Sequence, residues 1–251
     1  MLGTLHGKFG TYNKTCPINR IEDKCVTFIR DEKYIPLLRS VTEDIWLIAH
    51  TDMESRIRKY QEVYSPTVNV CYTDYPEYEF TLYHNYINKN KQKSKVVVGN
   101  DCVIHPSVIM NVDGMKAVNT PDGDKIHFIH TGHVLIGEKV EIGPYTVIHR
   151  GTMGLTSIGT GCQIGSLNNI GHNCSIGANN VFASSVILNG GVSTGRNCWF
   201  GSGSVIKHHT SIYDNVVLGH GTVVTKDINE SGIYVGNPAR FLKPIEEGWN
   251  F

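Results

Sequence analysis

The chain has 251 residues, 40% of them hydrophobic, enough to bury a sizeable core in one large or two smaller domains. Its 23 Lys and Arg balance its 23 Asp and Glu, so neither nucleic acid nor an anionic membrane surface is the expected partner. Residues 1 to 20 hold no apolar leader-like core and no later run reaches membrane-spanning length, so a soluble, cytoplasmic protein is expected.

Residues 1–93 read as a small α/β domain. Cys25-Val-Thr-Phe-Ile reads as a strand, Asp31 to Arg39 as a short helix opened by acidic residues, Ile45-Trp-Leu-Ile-Ala as a second strand and Val68-Asn-Val-Cys-Tyr as a third. Asp74 or Thr73 is placed to cap a helix that begins near Pro76 and carries Phe80, Leu82, Tyr83 and Tyr86. No GxGxxG follows a strand, which argues against a dinucleotide-binding Rossmann unit. Asn88 to Lys95 is polar and basic, a linker by composition.

From residue 94 a step of six governs the chain. It starts at Val98, Ile104 and Met110, is lost over 111–125 in a loop rich in Asp, Gly and Asn, and resumes at Ile136, Ile142 and Ile148. After a slip of four residues through GTMGLTS it runs Ile158, Ile164, Ile170, Ile176, Phe182, Leu188, Thr194, Phe200, Ile206, Ile212, Leu218 and Val224. A period of six fits neither a 3.6-residue helix nor simple strand alternation; it predicts a solenoid of short parallel strands whose rungs are triangles of three hexapeptides. The aliphatic position points inward, a small or β-branched residue four places on packs near a corner, and glycine after the aliphatic relieves the bend. The predicted β-helix spans 94–228 with the 111–125 insertion, and a short irregular tail, 229–251, follows, where Pro238 and Pro244 argue against a long helix. Excursions from a solenoid tend to be functional, since the coils need none. Of seven cysteines, Cys102, Cys162, Cys174 and Cys198 fall on the inward small position and no CxxC occurs, so packing explains the cysteines better than metal or disulfide chemistry.

This pattern resembles the left-handed parallel β-helix of the hexapeptide-repeat acyltransferases. The hand comes from the resemblance, because crossovers are otherwise right-handed. Three stretches resemble the UDP-3-O-acylglucosamine N-acyltransferases of lipid A synthesis in particular. VTFIRDEKY is similar to that family's uridine-binding motif, in which two aromatics six positions apart sandwich uracil; the pair here is Phe28 and Tyr34. VLIGEKVEIGPYTVIHRGT resembles the family's central coils, and IGHNCSIGANN the segment with its catalytic histidine, here His172. The chain departs from the family in three ways. About one coil precedes the excursion where the family has several, His149 stands where the family usually has Asp, and VVTKDI with GNPARFLK resembles CoA-dependent sugar acetyltransferases, not the helical extension used with acyl carrier protein. The resemblance implies an N-acyltransferase that moves an acyl group, acetyl by preference, from a CoA thioester to the amine of a UDP- or dTDP-linked amino sugar. It also implies a homotrimer with sites between subunits and a place in cell-surface polysaccharide synthesis.

An amine attacking a thioester needs a proton acceptor near neutral pH and a donor for the oxyanion. Histidine suits the first task. His172 stands at the third position of its hexapeptide, where a side chain points outward, and Gly190 lies eighteen residues on, one coil above at roughly 5 Å, its N–H available to the oxyanion. The competing reading makes His172 one more surface residue. Asn173 either fixes its turn or touches the ligand; Phe28 and Tyr34 either stack on a base or serve as core aromatics; His149 either contacts the sugar or is structural. By resemblance, Gly203, Lys207 and Lys226 face the pantetheine or phosphates of CoA, and Pro238 with Ala239 its adenine, although a solvated surface is the default for any lysine. His127, His130 and His133 lie three apart and suggest a metal, as in γ-class carbonic anhydrases, which share the prism. That class brings two ligands five residues apart, no two histidines here have that spacing, and no metal is expected. The alternatives are a carrier-protein-dependent N-acyltransferase of the lipid A type, a CoA-dependent O-acetyltransferase, and a non-catalytic scaffold or binding β-helix, which would show outward ladders of one residue type.

Overall fold

A computed structural model describes Phe9, Tyr12 and residues 14–19, 21–41, 44–64, 68–89 and 94–246. The chain divides into two units, Met1–Gln92 with Met115–Ile129, and Lys93–Gly114 with His130–Phe251.

In the first unit β1 (Lys14–Thr15), β2 (Cys25–Ile29), β3 (Ile45–His50) and β4 (Val68–Thr73) form a parallel sheet in the order β1-β2-β3-β4. A 3₁₀ helix (Glu32–Ser40), capped by the Asp31 carboxylate accepting the Lys33 N–H at 3.0 Å, links β2 to β3. Helix α1 (Glu54–Tyr64) links β3 to β4, and α2 (Pro76–Asn88) follows β4. Strands β2 and β3 are apolar almost throughout because both their faces are covered. Cys25, Ile29 and Leu47 pack with Leu38 and Ile57 on one side, while Phe28, of opposite parity on β2, packs on Phe80 of α2 at 4.7 Å. Helix α1 escaped the sequence reading because ESRIRKYQEVY is mostly charged or polar and buries Ile57 on the sheet.

Cys16 and Cys25 form a disulfide, contrary to the expectation that the cysteines serve packing alone. β1 pairs with β2 so that Lys14 lies opposite Cys25 and the Cys16 N–H bonds to the Val26 carbonyl at 3.1 Å, which brings the two Cα atoms within 6.2 Å. The excursion is also more ordered than a loop. Ala117–Asn119 and Lys125–His127 form an antiparallel hairpin whose turn uses Gly123 at φ +90°. Asn85 of α2 donates to the His127 carbonyl at 2.7 Å and accepts the Ile129 N–H at 3.0 Å, and buried Phe128 stacks on His84 at 4.3 Å.

The second unit is a three-faced prism of parallel strands. The first face holds Val96–Val98, His133–Ile136, Leu155–Ile158, Ser175–Ile176, Ser193–Thr194 and Ser211–Ile212. The second runs from Val103–Ile104 through Glu141–Ile142, Gln163–Ile164, Val181–Phe182 and Trp199–Phe200 to Val216–Leu218 and Gly232–Val235. The third holds Ile109–Val112, Val147–His149, Asn169–Ile170, Ile187–Leu188, Val205–Ile206 and Val223–Val224. Most coils advance by 18 residues, as in Ile158 opposite Ile176 and Ile170 opposite Leu188. One advances by 22, with Ile136 opposite Ile158 and Ile148 opposite Ile170, which is the four-residue slip.

The inward aliphatic ladder is buried, with Phe182 and Phe200 stacked at 4.3 Å and 2°. Burial pushes the thiols of Cys162, Cys174 and Cys198 up to about 11. Buried Asn180 satisfies itself across coils, accepting the Cys198 N–H at 2.7 Å and donating to the Gly177 and Gly195 carbonyls. Asn173, Asn179, Asn197 and Asn215 hold corner positions at positive φ, the left-handed conformation asparagine tolerates. Beyond the coils the tail is partly regular: Gly232–Val235 extends the second face and Arg240–Lys243 pairs antiparallel to it.

Candidate active site

The third face pairs Asn169 with Ile187, Ile187 with Val205 and Val205 with Val223. Three residues further on, where that face turns into the first, the same register stacks His172, Gly190, His208 and Lys226 along one edge. His172 is partly buried and lies outside the core ladder. A Cβ built on Gly190 would stand 2.6 Å from both Cε1 and Nε2 of His172, so the imidazole lies against a backbone that admits no side chain. Gly191 donates its N–H to the His172 carbonyl at 2.8 Å, locking the two coils at this point.

Residues flanking the excursion close over the ring. Gly114 sits against Cδ2 of His172, and a Cβ there would collide with it. His130, 2% exposed, meets the His172 ring edge to face at 5.4 Å, and its Nδ1 accepts the Gly114 N–H at 3.1 Å. The Asp113 carboxylate is paired with Arg150, whose Nε donates at 2.6 Å, and accepts the His130 N–H at 3.2 Å. The Asp113 carbonyl accepts from Nδ1 of His149 at 3.0 Å. On the opposite side, Nδ1 of His172 lies 3.0 Å from Oδ1 of Asn173, an oxygen that also receives the N–H and the hydroxyl of Thr152, each at 3.0 Å.

Of the residues singled out in the sequence, His172, Gly190, Asn173 and His149 come together here. Asn173 is both a turn residue, at φ +61°, and a direct partner of His172. Lys226 shares the edge, three coil steps or about 14 Å along it. Exposed Lys207 precedes His208, and Ala239 bonds through its N–H to the Val223 carbonyl at 2.8 Å, which seats the Pro238–Ala239 turn on the last coil. Gly203 stands at the other edge of the third face, at φ +72°, where a Cβ would meet the Gly221 nitrogen at 4.0 Å. Phe28 and Tyr34 are in the other unit with different neighbours: Phe28 packs on Phe80, whereas Tyr34 leans on the cluster around Leu38 with the Lys33 ammonium 5.1 Å from its ring centre. The three spaced histidines separate. His130 joins the site, His133 accepts the Lys95 N–H at 3.0 Å, and His127 belongs to the hairpin of the first unit. Among the described residues no group of three or more His, Cys, Asp or Glu is placed to hold a metal.

The sequence reading missed Asp113, Gly114, His130, Arg150 and Thr152 as site residues. One signal pointed to them: they flank or occupy the excursion and the four-residue slip, the two places where the step of six fails.

A concavity lies within the first unit, a cleft of about 430 Å³ lined by Arg30, His50, Tyr75, Tyr78, Asn119 and Lys125 among others. It sits at the carboxyl ends of β2 and β3 beside the start of α2, the usual ligand position on a parallel sheet. Glu77, also in its wall, is paired with Arg30 at 3.8 Å and Lys116 at 3.4 Å.

No family model matches the chain. It is 36% identical over 139 residues to a UDP-3-O-acylglucosamine N-acyltransferase of Herminiimonas arsenicoxydans, covering 55% of this chain and 39% of that protein. It is 34% identical over 158 residues to a probable mitochondrial UDP-3-O-acylglucosamine N-acyltransferase of Arabidopsis thaliana, covering 63% and 51%. The chain thus spans between about two fifths and half the length of these relatives. Among solved structures, UDP-N-acetylglucosamine O-acyltransferase of Moraxella catarrhalis superposes with a TM-score of 0.53 at 25% identity, over 62% of this chain and 58% of that one. Another UDP-N-acetylglucosamine acyltransferase superposes over 91% of this chain and 69% of its own with the same TM-score of 0.53, at 14% identity. Over part of its length this chain is therefore related to the UDP-3-O-acylglucosamine N-acyltransferases, and its coils form a left-handed parallel β-helix.

Proposed function

We propose that this protein is an N-acyltransferase that moves an acyl group from a CoA thioester to the amine of a nucleotide-linked amino sugar. The pairing of His172 with Gly190 on one edge of the prism carries the reading. The neutral amine attacks the thioester carbonyl, a C–N bond forms, and Nε2 of His172 takes the proton the nitrogen sheds. The Gly190 N–H steadies the oxyanion. The C–S bond then breaks, and the thiolate leaves as thiol with the proton held by the imidazolium.

The donor runs along the same edge. Lys226 and Lys207 offer point charges to the CoA phosphates and the Pro238–Ala239 turn receives the adenine, while Gly203, at the other edge of the third face, lies off this path. Conserving the thioester but changing the carrier gives the main rival, so acetyl-CoA and acyl carrier protein donors belong in one assay.

For the acceptor, Phe28 lies on β2 and Arg30 directly follows its end, so a base stacked in the first unit and a diphosphate held by Arg30 and Lys125 in its cleft are compatible. His149, with Nδ1 bonded to the Asp113 carbonyl, turns the rest of its ring to the sugar. Exposed Ile109, Tyr145, Leu167 and Ile187 follow the third face and its far edge, an apolar stripe suited to a neighbouring copy, and a homotrimer in the cytoplasm is the assembly we infer.

The experiment is His172→Ala, assayed with acetyl-CoA and with UDP- and dTDP-amino sugars. We expect kcat to fall by about 10²–10⁴ with the KM of the sugar nearly unchanged. Full retained activity would remove His172 from the chemistry.

A further inference from the structure

We propose that Thr152 is a positioning residue for acyl transfer: it orients the side-chain amide of Asn173 and thereby fixes which nitrogen of His172 carries the proton. The inference rests on His172 acting as the base. The two ends of an asparagine amide are alike in shape and opposite in hydrogen-bonding sense. The Thr152 backbone N–H can only donate, and it reaches the Asn173 amide at 3.0 Å, as does the Thr152 hydroxyl. The atom that receives both is therefore the oxygen, Oδ1. That same oxygen lies 3.0 Å from Nδ1 of His172, and because it only accepts, Nδ1 must supply the hydrogen. In the neutral ring the lone pair is then left on Nε2, the nitrogen against Gly190, where the attacking amine sheds its proton. Reversing the amide would set an N–H against Nδ1, move the ring proton to Nε2 and leave no acceptor on the reacting side.

The fold goes out of its way to supply this clamp. Thr152 lies in the four extra residues of the 22-residue coil, a bulge that a regular coil lacks. The bulge is tied down by its own backbone: the Thr131 N–H donates to the Thr152 carbonyl at 2.8 Å and the His133 N–H to the Gly154 carbonyl at 3.0 Å. Gly132 and Gly151 lie so close to the Gly154 carbonyl that a Cβ on either would collide with it, so the bulge folds flat only because these positions are bare. From the other side, the Asn173 N–H donates to Oγ1 of Thr156 at 2.9 Å, which holds the asparagine backbone while Thr152 holds its side chain.

The test is a cycle on the full-length protein. Thr152→Val keeps the shape and the backbone N–H but removes the hydroxyl, one of the two donors on the Asn173 oxygen, and so weakens the amide's preferred orientation. We expect kcat to fall about tenfold with the KM values of donor and acceptor unchanged, and Thr152→Ser to restore it. The same change is then made beside Asn173→Asp. A carboxylate accepts at both oxygens and has no wrong orientation, so there Thr152→Val should cost less than about twofold. The Asn173→Asp background should also move the acid limb of the kcat/KM profile to higher pH, because a carboxylate favours the imidazolium.

Equal losses in both backgrounds, or no loss in the native one, would overturn the proposal. Should Asn173→Asp be inactive, ¹⁵N spectra of the His172 ring decide directly: a single Nδ1–H tautomer in the native protein and a mixture in Thr152→Val support the clamp, and identical spectra refute it. His172→Ala keeps the two claims apart, since an active His172→Ala enzyme ends the base assignment, whereas an inactive one with an unaffected Thr152→Val ends this inference alone.

Discussion

The prism and the N-terminal unit bury their apolar side chains by different rules. In the prism each inward residue meets its own counterpart one coil away, Phe182 on Phe200 and Ile170 opposite Leu188, so burial is a sum of nearest-neighbour steps. In the N-terminal unit the buried set comes from distant parts of the chain: Leu47 from β3, Leu38 from the 3₁₀ helix, Ile57 from α1, and Phe128 from an excursion that leaves the prism and returns to it. A repeat therefore tolerates insertion between coils, and the residues that flank the excursion and those of the Thr152 bulge gather around one ring, that of His172.

The largest effect expected from breaking this pattern is on stability. Phe182→Ala removes a ring stacked on Phe200 in a core with no side chain free to fill the space, and should cost about 3–5 kcal/mol in urea unfolding. Because the loss propagates to neighbouring coils, amide exchange should quicken in the strands Gln163–Ile164 and Trp199–Phe200 and stay protected in β2 and β3. Uniform loss of protection across both units would show that the nearest-neighbour description of the prism is wrong.

A smaller effect separates space from conformation along the third face. Gly190 has no left-handed backbone to excuse it; it is bare because His172 lies where its Cβ would be. Gly190→Ala should push the imidazole aside and lower kcat by about 10²–10³, the scale of a lost oxyanion donor, with little change in stability. Gly221 is the opposite case, at φ +67° with nothing within 4 Å. Gly221→Ala should cost about 1–2 kcal/mol of stability through backbone strain and leave turnover intact. The same effect from both substitutions would mean that the His172 edge is not special.

These contrasts also explain what the residues disclosed on their own. The coils were legible because one inward aliphatic every six residues is the physical condition for closing a triangular rung; the glycines after it are bare because most would set a Cβ against the next coil, and the corner asparagines at positive φ were not read. His172 was singled out by the likeness of IGHNCSIGANN to a known family's segment, and Gly190 by lying one coil beyond it. The wall around them was not: Asp113, His130 and Thr152 lie where the period fails, and periodicity says nothing about chain that leaves the repeat. In the N-terminal unit β2, β3 and β4 showed as apolar runs, whereas α1 exposes a charged surface and buries too little to show a period. The Cys16–Cys25 bond was hidden for a related reason, since it depends on a two-residue strand finding the edge of β2.

Alkaline titration gives the smallest effect per group and a way to address the prism separately. Cys162, Cys174 and Cys198 are held protonated by burial, with pKa values raised from 9.0 to about 11. A thiol that ionises more readily in the unfolded chain stabilises the fold fully below pH 9 and loses that contribution as pH rises from 9 to 11, where the unfolded state gains charge the core refuses. Two pH units correspond to roughly 2–3 kcal/mol for each thiol. Burial also raises Tyr72 and Tyr83 in the N-terminal unit, but from 10.0, so their loss begins about one unit later, as does that of Tyr234 in the prism. Stability measured from pH 8 to 11 should therefore fall first in the prism, and Cys174→Ala should flatten the slope between pH 9 and 10 by about a third without changing it below pH 8. A slope indifferent to Cys174→Ala would mean that the coils open to hydroxide before they unfold, and that the stacked core is looser than its close-packed ladder requires.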